Sequence, residues 1–192
     1  CCAIWSGKRK QILATPVQFI FDFLNNHGML NINDRPQWFV VKGGSSKYVK
    51  VLSEYKAIKF HHHEPVVRVS RINSKVKIDT LSDNYYFDKV VMATHANDTL
   101  ALLHNPKQEE INILSCFPYQ NNNVSLHKDI SVLPQNKRAW AAWNYRIDEL
   151  SNDSCRLSYN MNMLQNIIAK ETYCVSVNQT DLIDKEKIIA EL

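Results

Sequence analysis

Between Thr15 and Gly28 the apolar residues Val17, Ile20, Phe21 and Leu24 recur at spacings of three and four, which is the stripe of one helix face. Thr15 suits a cap, Pro16 the first helical residue and Gly28 the residue just past the end, so the pattern predicts a helix near 16–27. QWFVV (37–41) reads as a short extended piece. In KGGSSKYVKVLSEY (42–55), Tyr48, Val49, Leu52 and Tyr55 again share a face, and Ser45 or Ser46 can cap the helix they predict.

The period then changes. VVRVSRI (66–72), KVKIDTL (75–81) and NYYFDKVVMATH (84–95) are β-rich, and INSK and SDN between them supply turn residues. Val67 and Val69 alternate with Arg68 and Ser70, and Val76 and Ile78 with Lys75 and Lys77, which predicts an antiparallel meander with one wet face. Lys89–Ala93 is a continuous apolar run and predicts a strand buried on both faces; THAND then leads into a helix at DTLALL. PKQEEINILSCF (106–117) predicts another helix, with Ile111 and Leu114 on one side. NVSLHKD, AWAAWNY, CRLSYNM and TYCVSVN read as strands of a second, antiparallel sheet. MNMLQNII predicts a short helix and DKEKIIAEL the start of another.

Composition narrows the class. The chain has 192 residues, 45% of them hydrophobic, enough for one large domain or pieces of two. Its net charge of +4 is scattered, with Lys8–Lys10 the only basic run, so nucleic acid is not expected as a partner. No apolar run approaches the roughly 20 residues of a membrane span, and Val17–Leu24 is broken by Gln18 and Asp22. Five cysteines without a C-x-x-C spacing argue against a disulfide framework or zinc site and for a reducing, cytoplasmic setting. Cys116, Cys155 and Cys174 lie in apolar contexts and read as buried structural thiols. The opening Cys-Cys reads as the interior of an element, so the chain is expected to be incomplete at both ends.

Several stretches carry candidate chemistry. Gly43-Gly44 enters a helix, where free N–H groups favour anions. It lacks the spacing of either glycine-rich phosphate motif, so it reads as a corner. The three histidines of HHHE (61–64) would alternate in direction along a strand and cannot converge on one ion, so no metal site is expected. His127 and Asp129 are two apart on an expected strand and share a face, which could orient an imidazole as proton carrier; a surface strand histidine is the plainer reading. Trp140, Trp143, Tyr145 and Tyr159 could form a flat apolar pocket wall or an ordinary sheet core.

Taken together, AIWS, FLNNHGML, RPQWFVVKGGSSKYV, EPVVRVSR, FDKVVMATHANDTLALL, SLHKD, AWAAWNY and SYNMNMLQ resemble the bacterial flavin-containing amine-oxidase-like NAD/FAD-binding oxidoreductases, often encoded beside cyclopropane fatty acid synthases. The resemblance covers nearly the whole chain. It implies an α/β fold: a Rossmann-like FAD lobe interrupted by a β-meander, and a substrate lobe, α+β in character, around an antiparallel sheet. Residues 1–38 and 97–192 would belong to the substrate lobe and 39–96 to the FAD lobe. It further implies FAD as cofactor, with Val66 meeting adenine through backbone atoms and Ala93 and Thr94 approaching the cofactor. Trp143 and Tyr145 would stand near the flavin, and His127 or Lys128 where many amine oxidases keep a lysine. Hydride abstraction from a small-molecule or lipid substrate is the implied reaction, with peripheral membrane contact compatible. The glycine-rich fingerprint of such folds is absent from these residues. A noncatalytic binding or assembly module derived from a flavoprotein is the alternative.

Overall fold

The structure, a computed structural model, describes residues 2–5, 7, 9–147 and 155–192, so Lys8 of the basic run lies outside the described residues. Two compact units are present, one from Cys1–Val51 with Asn122–Leu192, the other from Leu52–Asn121.

The first unit opens with α1 (Cys2–Trp5), α2 (Arg9–Ala14) and α3 (Val17–Asn26). α3 ends as its punctuation requires. Gly28 takes φ +62, its N–H bonds Asn25 O at 2.9 Å, and the Met29 N–H bonds Leu24 O at 2.9 Å, the paired bonds of a Schellman cap. A Cβ on Gly28 would stand 2.8 Å from Pro36 Cδ, so a side chain there meets both strain and a clash. Residues 37–41 have no regular secondary structure and join no sheet, and 38–41 are exposed. The corner before α4 (Ser46–Ser53) is glycine's: Gly43 and Gly44 both take φ +84, and Gly44 N–H closes a turn on Val41 O at 2.9 Å.

The second unit holds a three-stranded meander, β1 (Val66–Ile72), β2 (Lys75–Thr80) and β3 (Asn84–Phe87), paired antiparallel in that order. Asn73 and Ser74, at φ +46 and +65, make the tight hairpin turn between β1 and β2. After β3 come α5 (Ala96–Leu102) and α6 (Gln108–Leu114). The chain leaving α5 returns along β1, with the His104 N–H on Val69 O at 2.8 Å, and Val69 is 4% exposed. Arg71 of β1 pairs with Glu110 of α6.

Lys89–Ala93 corrects the sequence reading: it forms no strand, and Val91 is 89% exposed. A central parallel strand needs a ladder on each side, and an apolar run cannot supply one. Among the described residues both sheets are antiparallel, and the single parallel contact is an isolated bridge between Val69 and Leu103. The architecture is therefore mixed α and β with two antiparallel sheets.

The larger sheet contains β4 (Val124–His127), β5 (Trp143–Arg146), β6 (Arg156–Asn160), β7 (Cys174–Val177) and β8 (Ile188–Glu191), in the order β5-β6-β7-β4-β8. α7 (Met161–Leu164) follows β6. β8 is a second correction, because DKEKIIAEL reads as helix. Asp184 caps only one 3₁₀ turn, Lys185–Lys187, through the Glu186 N–H. The β-branched pair Ile188-Ile189 then joins β4, and Val124 and Leu192 exchange bonds of 3.1 and 2.9 Å. Cys155 and Cys174 are buried thiols as expected, but Cys116 is exposed, its Sγ turned to Asn112 O at the end of α6.

Candidate functional site

Side chains alternate along a strand, so register sorts the larger sheet into two faces. Asn144, Ser158, Ser176 and Ser125 form one row across β5, β6, β7 and β4, and Asn160, Cys174 and His127 the next row of the same face. The opposite face carries Trp143, Tyr159, Val175 and Leu126, then Tyr145, Leu157, Val177 and Val124. An isolated soluble sheet buries its apolar face and wets its polar one. Here the polar face is the better covered. Ser125, His127, Ser158, Cys174 and Ser176 are 0% exposed, whereas Trp143 and Tyr145 are 44% and 43% exposed. Among the described residues, Leu157 and Val177, packed with Cys155, form a closed core on the apolar side.

The polar face is a continuous hydrogen-bonded chain. His127 Nδ1 accepts the Asp129 N–H at 3.1 Å. A backbone amide can only donate, so the ring proton sits on Nε2, which donates to Ser176 Oγ at 2.8 Å. Ser176 and Ser158 share a bond of 2.7 Å, and Gln179 Nε2 donates to Ser158 Oγ at 2.9 Å. Beside them Ser125 and Thr180 hydroxyls meet at 2.7 Å. Burial holds the imidazole below its ordinary pKa, against the pull of Asp129. A neutral ring that already carries its proton on Nε2 cannot accept one from Ser176. The row is therefore a structural network, not a nucleophile and its base.

This places two sequence candidates. His127 is not a surface strand residue, and its orienting partner is the Asp129 amide, not its carboxylate. That carboxylate instead accepts the Ser131 and Asp184 N–H groups at 3.0 and 2.9 Å and lies 3.4 Å from Lys187 Nζ. Burial opposes its charge, yet the two amides and Lys187 outweigh burial and hold its pKa at about 2. Lys128 points to the other side, its ammonium 2.5 Å from Glu171 and 5.7 Å from the centre of the Tyr173 ring. The bond to Glu171 raises its pKa.

Trp143 and Tyr145 lie on β5, at the outer edge of the sheet, and Trp143 meets Tyr159 edge-on with centroids 5.8 Å apart. Along that edge runs a groove of about 670 Å³, lined by Val132, Leu133, Pro134, Trp143, Tyr145 and Arg146 among others. Trp140 does not share this wall's rings; its indole N–H donates to Pro134 O at 2.7 Å.

In the second unit Val66 opens β1 beside a bulge: Val66 faces Thr80 and Arg68 faces Asp79, which leaves Val67 without a ladder partner. Ala93 and Thr94 lie exposed after the unpaired run, and Thr94 Oγ1 bonds Thr99 Oγ1 at 2.7 Å. Sequence reasoning missed the group around Glu64. One carboxylate oxygen accepts Tyr85 and Thr80 hydroxyls at 2.7 and 3.0 Å, and the other meets His61 Nδ1 at 2.7 Å. The Tyr85 bond, then His61, pulls Glu64 down to about 2, and the same bond pushes Tyr85 up to about 12. The available signal was the pair His61 and Glu64 flanking a tight turn, with His63 at φ +59.

No protein family's sequence profile matches the chain. No curated protein matches it either. Among solved structures, a CLA-producing fatty acid isomerase from P. acnes is similar in fold, with a TM-score of 0.52 at 15% identity. The likeness covers 78% of this chain and 38% of that one. At such identity it is a likeness of fold, and that neighbour is an enzyme.

Proposed function

We propose that this chain forms part of an FAD-dependent oxidoreductase of the amine-oxidase-like class, which abstracts hydride from a C–H bond of an apolar, lipid-like substrate. The observation that carries the reading is the reversed polarity of the larger sheet. A sheet that buries serines and leaves Trp143 and Tyr145 half open on its outer strand is suited to lining an apolar ligand space. The fold likeness to an enzyme acting on a fatty acid supports the same direction. On this reading residues 1–38 and 97–192 serve the substrate and 39–96 the cofactor.

The fit to FAD is partial and local. The bulge at Val66 frees backbone groups next to it, which suits recognition of adenine's edge by N–H and C=O. Ala93 is small and exposed, so a cofactor could approach it closely. With four glycines and no glycine-rich phosphate turn, these residues offer no cradle for the pyrophosphate. FAD, when bound, would supply the two-electron chemistry. This chain's part is to hold the adenine end at Val66 and to give an aromatic wall at Trp143 and Tyr145. His127 bonds Ser176 and Lys128 pairs with Glu171, neither of them a residue of that wall.

The noncatalytic module is favoured by one feature, the run 89–93, which pairs with no described strand and leaves Val91 exposed. Purification of the full-length protein separates the two. A flavin absorption band, with release of FAD on denaturation and bleaching by a lipid substrate without oxygen, supports the enzyme. Failure to retain FAD after reconstitution overturns it.

A further inference from the structure

We infer that the groove along β5 binds a long-chain carboxylate, with Arg146 holding the carboxylate and the exposed side chains of Trp143, Tyr145 and Ile147 holding the chain. This rests on the lipid part of the reading above and is independent of its flavin part. Among the described residues β5 is the outer strand of its sheet and is bonded to β6 alone. The groove follows that strand, and residues from both sheet faces reach it: Trp143 and Tyr145 from the apolar face, Arg146 from the polar one. Its volume, about 670 Å³, falls within the range of about 300–1,000 Å³ usual for ligand pockets.

Arg146 is the one charged side chain among the described lining residues. Its ladder partner is Arg156, and like charges opposite each other destabilise a sheet. Arg156 is tied to Asp181 at 3.1 Å. Arg146 is exposed and has no hydrogen bond or ion pair with any described residue. A guanidinium with no described partner beside a repelling neighbour, in a groove that exposes Trp143, Tyr145 and Ile147 among polar residues such as Ser131 and Gln135, is complementary to one planar anion with an apolar tail. A carboxylate fits its two-pronged donor geometry. A single cation suits a monoanion better than a phosphate headgroup, which would draw several.

Titration calorimetry of the full-length protein with oleate, below its micelle concentration, and with oleyl alcohol tests the assignment. Oleate should bind at one site and the alcohol more weakly. Arg146→Gln should weaken oleate by about ten- to a hundred-fold, the worth of a charge-assisted hydrogen bond, and leave the alcohol unchanged. Arg146→Lys, which keeps charge but loses the fork, should recover part of the difference. Equal affinity of wild type for oleate and alcohol overturns the assignment, as does an Arg146→Gln protein that binds oleate like wild type. A protein that binds oleate but no FAD sinks the oxidoreductase reading alone. One that binds FAD but ignores oleate sinks this inference alone.

Discussion

His127 is where the buried polar chain can be cut one bond at a time. Its Nδ1 accepts the Asp129 amide and its Nε2 donates to Ser176, both in a site with 0% exposure. Asparagine places an acceptor near Nδ1 but does not reach Ser176. Glutamine places a donor near Nε2 but leaves the Asp129 amide without an acceptor. Each strands one buried partner, which costs about 1–3 kcal/mol; leucine strands both and should cost about 2–6 kcal/mol. Urea unfolding followed by circular dichroism reads these as shifts in midpoint at constant slope. The imidazole adds a pH signature. Burial lowers its pKa in the fold, so the unfolded chain binds the proton more readily. Its contribution is full above the unfolded value of about 6.5 and is lost as pH falls from there to the folded value. His127→Asn should remove that part of the slope. If all three variants lie within about 0.5 kcal/mol of wild type, the network is not holding the sheet together.

Three further tests probe other elements. Asp129→Asn should flatten the acid limb of unfolding between about 3.9 and about 2, because the carboxylate's contribution is present above the unfolded value and lost as pH falls through the folded one. An acid limb identical to wild type would contradict the amide and Lys187 contacts. Glu64→Gln should bring the Tyr85 phenol titration down from about 12, seen as a variant-minus-wild-type absorbance difference at alkaline pH, since the bond to Glu64 is the main cause of its rise. No difference spectrum would mean that Tyr85 does not donate to Glu64. Gly44→Ala should destabilise by about 1–2 kcal/mol, with nothing within 4 Å to clash, so that the cost is backbone conformation alone; an unchanged midpoint would show that the corner relaxes.

What the sequence disclosed follows the reach of its signals. α3, the meander and four strands of the larger sheet rest on local periodicity and turn chemistry, which twenty residues contain in full. β8 escaped because DKEKIIAEL has helical composition, and only the open edge of β4, some sixty residues earlier, makes strand pairing the better use of Ile188 and Ile189. Lys89–Ala93 failed in the other direction: apolar content marks what a segment would bury, not whether partners stand beside it. At the candidate site the aromatic wall was visible as spacing in AWAAWNY. The burial of His127 was not, because a polar sheet face facing inward contradicts the usual alternation. Glu64 needed Tyr85, brought beside it by β3 and distant in the chain.

The strand order of the larger sheet has a consequence for how the chain is made. β4 is the first strand of its sheet to emerge, yet both its neighbours, β7 and β8, lie about fifty or more positions further on. The contiguous stretch Leu52–Asn121 can settle while still near the ribosome. β4 must wait, its serine and histidine side chains unmatched, until Cys174–Val177 of β7 has been translated. Long-range closure of that kind is slow and leaves sticky edges open in the meantime. A holding chaperone should therefore raise the yield of the finished sheet far more than that of the meander.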